Sequence, residues 1–134
     1  MLRMPQALVF LTLLGSTAFA DEPAVAMEQL CGTWTRTEVL LDGTTLSLMK
    51  IITPTHFAVF QQGTTRQGAE LFQSHGGSCR LDGTTLTEEY EFSSSSVLRK
   101  TAAKSRVAFD VQTLTQTWTF PDGTTQTEAW TRRR

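Results

Sequence analysis

The chain has 134 residues, of which 40% are hydrophobic and 19% charged, with a formal net charge of −1 and two cysteines. That length holds one small domain, and the near-neutral charge excludes the basic surface that nucleic acid requires. No stretch is both apolar enough and long enough to cross a bilayer.

Residues 1–20 read as a secretory leader. Arg3 supplies the positive start, residues 7–14 are an apolar run, and Ala18-Phe19-Ala20 gives the small-x-small pattern before a cleavage point, expected after Ala20. Cleavage there leaves residues 21–134 as a single domain in the periplasm or outside the cell. The balance is then 11 basic to 13 acidic side chains. No Cys follows the apolar run, which excludes a lipid anchor at that point. The terminal Arg132-Arg133-Arg134 reads as a solvated tail. Residues 21–30 predict a short helix, started by Asp21 or Glu22 before Pro23 and ended by Gly32.

Helical periodicity then vanishes, and β-branched Thr becomes abundant, which suits strands. Strands are expected at 33–41, 44–52, 56–62, 67–73, 77–81, 84–92, 105–111, 113–120 and 124–132. Turns are expected at Thr53-Pro54, Gln62-Gly63 and Gly76-Gly77. Residues 93–105 read as a long loop or one helical turn. Many short antiparallel strands in so few residues make an all-β barrel or sandwich. The favoured architecture is a small up-and-down barrel of eight or nine strands.

Asp-Gly-Thr-Thr occurs at 42–45, 82–85 and 122–125, each copy 40 residues after the last. Asp-Gly between strand-like runs is a strong hairpin signal. A propeller needs about four blades, so three copies read as recurring hairpin corners of one barrel. Pro121-Asp122-Gly123 predicts a three-residue loop, pairing Trp118 with Gln126, Gln116 with Glu128 and Leu114 with Trp130. The opposite, Thr-rich face then meets solvent. At the second copy an Asp82-Gly83 loop pairs Leu81 with Thr84 and Cys79 with Leu86, setting Cys79, Leu81, Leu86, Tyr90 and Phe92 inside. At the first copy Val39 and Leu41 compete with Trp34 and Leu40 for the inner side, and the pattern leaves both orientations open.

The same parity turns Glu88 and Glu128 inward, each two residues before an aromatic, Tyr90 or Trp130. An unpaired charge in a dry core costs several kcal/mol. These groups therefore lie near solvent, pair with Arg36, Arg80 or Arg132, or line a wet cavity whose aromatic walls suit a small molecule. As an acid/base pair they would need a defined separation across a substrate. His56 opens an apolar strand, a position more often structural than catalytic. Cys31 and Cys79, in an exported chain, form a disulfide or remain two buried thiols; closing that loop would add about 4 kcal/mol. They lack metal-ligand spacing with His56 and His75. No nucleophile elbow, phosphate loop or dinucleotide fingerprint is present, and no cofactor is implied.

Gly32-Thr33-Trp34 looks like the Gly-x-Trp opening of lipocalin-like barrels. It is followed by Lys50-Ile51-Ile52-Thr53-Pro54-Thr55-His56-Phe57, Gly76-Gly77, Leu81-Asp82-Gly83, Thr87-Glu88 with Tyr90, and Leu114-Thr115-Gln116-Thr117-Trp118. Pro121-Asp122-Gly123 and Glu128-Ala129-Trp130-Thr131-Arg132 complete the order. Over residues 30–133 this resembles the bacterial lipocalin-like domain family of unknown function, found in exported proteins. Lys-Ile-Ile-Thr-x-x-His-Phe is its most specific part. The resemblance implies a small antiparallel barrel with an internal pocket, and it points to Trp34, Lys50, His56, Phe57, Glu88, Gln116, Glu128 and Trp130. This chain departs from the pattern at Cys79 and in the Gly-free 93–105 connection.

The first reading is thus an exported barrel that binds a small, partly apolar ligand, as a monomer or homodimer. Phe57, Tyr90, Trp118 and Trp130 would form walls, with His56, Glu88, Gln116 and Glu128 as polar anchors and Trp34 as a further candidate ligand-binding residue. An alternative is a protein-binding barrel such as a periplasmic protease inhibitor, which needs a filled interior and an exposed apolar segment at residues 27–30. A cavity enzyme using Glu88 and Glu128 ranks third, because no activated nucleophile is visible.

Overall fold

A computed structural model of the chain describes residues 24–134. The expected leader, its cleavage point and the Asp21, Glu22 and Pro23 helix start lie outside the described residues. A one-turn helix, α1 (Met27–Leu30), precedes nine strands: β1 (Gly32–Val39), β2 (Thr45–Ile52), β3 (His56–Thr64), β4 (Glu70–Asp82), β5 (Thr85–Tyr90), β6 (Phe92–Ser93), β7 (Thr101–Asp110), β8 (Thr113–Thr119) and β9 (Thr125–Arg133). Neighbours pair in the order β3-β2-β1-β9-β8-β7-β5-β4-β6, and β3 also pairs with β4. That last pairing closes an antiparallel eight-stranded barrel, leaving β6 as a short extra strand on β4. Closure removes the free edges that an open sheet of these strands would expose.

The turn chemistry explains the register. In the first and third Asp-Gly-Thr-Thr copies a three-residue loop forms: Leu40 N–H donates to Thr44 O at 2.8 Å and Phe120 N–H to Thr124 O at 2.8 Å. Gly43 and Gly123 supply the positive φ these loops require, at +87° and +85°. The third hairpin pairs Trp118 with Gln126, Gln116 with Glu128 and Leu114 with Trp130, as its Pro-Asp-Gly predicts. The first loop pairs Val39 with Thr45 and Trp34 with Lys50. It thereby resolves the open parity: Trp34 is buried, while Val39 and Leu41 are exposed.

The second copy turns differently, but not as expected. Asp82 pairs with Thr85, Leu81 with Leu86 and Cys79 with Glu88. The loop is therefore Gly83-Thr84, with Gly83 at φ +61° in the first central position. This register lies two residues from the expected one. A two-residue shift keeps side-chain parity, so Cys79, Leu86, Glu88 and Tyr90 still face inward. Phe92 does not: it is 75% exposed on β6.

Four further expectations are corrected. Gln62-Gly63 is no turn but lies inside β3. Gly76-Gly77 is no turn either; it lies inside β4, which joins the expected strands 67–73 and 77–81 into one strand from Glu70. A Cβ at Gly77 would collide with the Glu89 carbonyl oxygen, because the β5–β6 side bulges towards it there. The 93–105 connection is shorter than expected, since β7 starts at Thr101. Lys100, at φ +65°, takes the position where a Gly turn was missing, and its N–H donates to Tyr90 O at 2.8 Å. Lastly, Cys31 and Cys79 are free thiols and not a disulfide. The Cys79 thiol lies 3.8 Å from the Thr53 carbonyl oxygen, and burial pushes it up to about 11.

The core is densest at the α1 end of the barrel and runs on through Leu46, Leu48 and Val59. Leu30, Trp34, Ile52, Phe57, Leu86, Val107 and Leu114 are buried at the α1 end. Trp34 Nε1–H donates to Leu30 O at 2.8 Å, and the Arg132 guanidinium stacks 4.2 Å from the Trp34 ring centroid. Arg132 also donates to Gln29 O at 2.7 Å and Cys31 O at 2.9 Å, stapling α1 across this end. Within residues 27–30, Leu30 is fully buried and Met27 packs on the core, so the segment is not the exposed apolar patch that an inhibitor reading needs.

Candidate functional site

Above the filled end, a polar layer crosses the barrel. Lys50 projects from β2, Glu88 from β5, Gln116 from β8 and Ser105 from β7, all on the inward parity of their strands. Lys50 Nζ donates to Glu88 Oε1 at 2.8 Å and to Gln116 Oε1 at 2.7 Å. Gln116 Nε2 donates to Glu88 Oε1 at 3.0 Å and to Ser105 Oγ at 3.0 Å. All four residues are at least 98% buried. A buried ion pair survives such desolvation only when the remaining hydrogen-bonding capacity is also met, and Gln116 meets it.

One pleat towards the other end, Arg36 of β1 lies between two carboxylates. Its Nη2 is 3.0 Å from Glu38 Oε2 and 3.4 Å from Glu128 Oε1. Its guanidinium carbon stands 5.0 Å from the Trp130 ring centroid, and Lys50 Nζ stands 5.1 Å from the same centroid. Trp130 thus has two cations within cation–π range. Among the described residues nothing accepts a hydrogen bond from Arg36 Nε or Trp130 Nε1, although both atoms are buried.

The opposite wall is aromatic. His75 and Tyr90 meet edge-on at 5.2 Å, and Tyr90 meets Phe57 edge-on at 5.6 Å. Burial, reinforced by Lys50, holds His75 below the usual imidazole range, while Glu88 opposes this. Burial and the Glu88 carboxylate push the Tyr90 hydroxyl up, so it stays a neutral donor.

These walls enclose a cavity of about 580 Å³. Arg36, Lys50, His75, Glu88, Tyr90, Trp118, Glu128 and Trp130 line it, with the apolar Leu48, Val59 and Ala103. Its mouth lies among Leu98, Thr101, Phe120 and Gln126, all partly or fully exposed. The volume and the mixture of aromatic walls with a few fixed polar groups suit a small-molecule pocket. A concavity of about 760 Å³ also exists on the outer wall, around Met49, Phe60 and Phe72. Its lining comes mainly from outward-facing positions, with Arg36 and Leu48 shared with the interior cavity, and Phe72 is 64% exposed.

Of the residues singled out from sequence, Glu88, Tyr90, Trp118, Glu128 and Trp130 come together on the cavity wall. Gln116 lies just behind it, fully buried in the polar layer. Phe57 is beneath Tyr90, and Trp34 belongs to the filled end; neither lines the cavity. His56 is exposed outside the barrel, with Nδ1 2.8 Å from Thr55 Oγ1 and its N–H donating to Thr53 Oγ1 at 3.0 Å. It organises the β2–β3 turn and is not a cavity anchor. Arg36, named from sequence only as a carboxylate partner, and His75 are the wall residues that sequence reasoning missed. His75 was hidden because Gly76-Gly77 reads as a turn, and Arg36 because the first hairpin's parity was unresolved.

No family model matches this chain, and no curated protein matches it. Among solved structures it is similar to a redesigned β-barrel, mFAP1, bound to DFHBI, with 23% identity over 81% of this chain and 98% of that one, and a TM-score of 0.42.

Proposed function

We propose that the protein is an exported, lipocalin-like barrel that binds a small, partly apolar molecule in its interior. One observation carries this reading: inside the barrel, beside the buried core, lies a cavity of about 580 Å³ with aromatic walls and fixed polar groups. A protein whose interior served stability alone would gain by filling that space with apolar side chains. Export rests on the leader-like residues 1–20. The two inward carboxylates favour a binder over an acid/base pair, since Glu88 Oε1 already accepts from Lys50 and Gln116, and Glu128 faces Arg36.

The test is native mass spectrometry of the protein isolated from its own compartment, beside an Ala103→Phe variant. Ala103 lines the cavity, and a phenyl ring there occupies the space a ligand needs. The expected result is a retained small molecule in the natural protein and none in the variant, with both equally folded by circular dichroism. Capture of a protein partner by both forms alike, with no small molecule in either, sinks the proposal in favour of a protein-binding barrel.

A further inference from the structure

The end of the barrel opposite α1 is rimmed by connections 40–44, 65–69, 94–100 and 120–124. β9 lies between β8 and β1, which sets the first and third Asp-Gly corners side by side. The Arg66 side chain of the 65–69 turn lies against Gly43, and Leu98 and Phe120 line the cavity mouth together. This rim carries apolar side chains in water. Leu41 is wholly exposed, Val97 is 82% exposed and Phe120 45%, with Leu40 and Leu98 also exposed. At the α1 end the corners 53–55 and 83–84 carry no Leu, Val or Phe, and Val111 is the one such residue at 111–112. Exposed apolar residues gathered at one end, around the mouth of a cavity, mark an interaction surface.

The cations indicate what it meets. Residues 94–109 contain Arg99, Lys100, Lys104 and Arg106 and no acid. Arg99, Lys100 and Lys104 are exposed, and none of the three forms an ion pair with a carboxylate of the described residues. The end as a whole is near charge balance, because Asp42, Glu70, Glu91 and Asp122 lie on it as well. Asp42 and Asp122 are drawn into their own corners, where they accept from Thr44 and Thr124. The positive charge is thus concentrated on the connection that lines the mouth. Apolar tips beside unpaired cations suit an anionic bilayer: the tips enter the acyl boundary while Lys and Arg stay among the phosphates. The tips also stand on separate connections. A fluid bilayer takes each one as it is, whereas a protein partner needs a complementary pit for every tip.

We propose that this end docks on an anionic lipid bilayer, with Leu41, Val97 and Phe120 in the acyl boundary and Arg99, Lys100 and Lys104 on lipid phosphates. The cavity mouth then opens onto the membrane. The docking rests on the rim alone; exchange of the cavity's ligand with the lipid phase rests on the small-molecule reading above.

The experiment mixes the protein, isolated from its own compartment, with vesicles of phosphatidylcholine alone or of phosphatidylcholine and phosphatidylglycerol in equal parts. Bound protein is measured by co-sedimentation. Binding to the anionic vesicles is expected to be about tenfold tighter or more, and to weaken with added salt. Arg99→Gln/Lys100→Gln/Lys104→Gln should erase that preference. Leu41→Ser/Val97→Ser should weaken binding to the anionic vesicles about tenfold. All five positions are exposed, so the variants should match the natural protein by circular dichroism. Tryptophan emission reports the orientation: Val97→Trp should shift to the blue on docking, and Thr55→Trp, exposed at the α1 end, should not. Equal binding to the two vesicles, binding to neither, or a blue shift at Thr55→Trp in place of Val97→Trp overturns the inference. So does a dimer that ignores vesicles and falls apart in Leu41→Ser/Val97→Ser, which gives the rim to a second copy. None of these outcomes touches the mass-spectrometric test of the cavity, and a protein that docks but retains no small molecule keeps the docking and loses the binding function.

Discussion

Lys50 and Glu88 meet at 2.8 Å with side chains 3% and 1% exposed, whereas Arg36 and Glu128 meet at 3.4 Å with 14% and 16% exposed. Both pairs sit inside one barrel, about one pleat apart along its axis. The inner pair is braced by Gln116, which accepts from Lys50 and donates to Glu88 Oε1 and Ser105 Oγ. The outer pair is looser, shares its cation with Glu38 and leaves Arg36 Nε unmet beside the unmet Trp130 Nε1. The contrast separates two uses of buried charge. A densely bonded network fixes which strands face one another; a loosely bonded one adds less to stability.

The largest expected effect comes from breaking the densely bonded layer. Lys50→Met leaves Glu88 buried without its cation and should cost about 3–5 kcal/mol in urea denaturation. Removing the stranded charge as well, in Lys50→Met/Glu88→Leu, should recover most of that loss. Arg36→Leu should cost only about 1 kcal/mol, because Glu128 is close enough to the mouth to rehydrate. If Arg36→Leu proves as costly as Lys50→Met, the distinction between the two layers fails.

A smaller effect separates the layers by pH. His75 lies between them, facing Lys50, Glu88 and Tyr90, and burial lowers its affinity for a proton. The unfolded chain then binds more protons than the folded one, in the window between the lowered value and the ordinary 6.5. Stability should hold steady above that window and fall as the pH drops through it. In His75→Gln, thermal denaturation between pH 7 and pH 5 should lose this slope. A slope of unchanged size in the variant places the titrating group elsewhere.

Much of the inner layer was legible in the sequence, because parity survives errors of register. Glu88 was placed inward although its hairpin register was two residues off, since Asp82-Gly83 and Gly83-Thr84 loops keep the same faces. Glu128 and Gln116 were placed opposite each other because Pro121-Asp122-Gly123 fits a three-residue loop. The cation that answers Glu88 was not legible. Lys50 lies on β2, and its orientation depends on the first hairpin, where apolar residues occupy both faces. Distance mattered too: Lys50 and Glu88 are 38 residues apart and pair across the barrel interior, not along a ladder. Gly77 misled for a physical reason. Glycine marks a turn when φ must be positive, but here it marks a close approach of the neighbouring strand's backbone.

The smallest effect tests the three Asp-Gly-Thr-Thr corners against one another. In the third copy Asp122 Oδ1 accepts from Thr124 Oγ1 at 2.6 Å and from Thr124 N–H at 2.9 Å; in the first, Asp42 Oδ1 accepts from Thr44 N–H at 2.9 Å. Hydrogen bonds from Thr124 and Thr44 hold both carboxyls below the usual carboxylate range. Each contribution is therefore complete above the ordinary carboxylate value and is lost as the pH falls through the lowered one. In the second copy the loop is different, and the Asp82 carboxylate has instead a loose, exposed ion pair with Arg80 at 3.8 Å. At neutral pH, Asp122→Ala should lower the melting temperature slightly more than Asp42→Ala, and Asp82→Ala should change it least, because exposed pairs of that kind contribute little. Repeating the melts in acid should shrink the first two differences towards zero. If Asp82→Ala is as damaging as Asp122→Ala, or if the acid melts keep the full gap, the four shared letters are not making two kinds of turn in the way the backbone bonds describe.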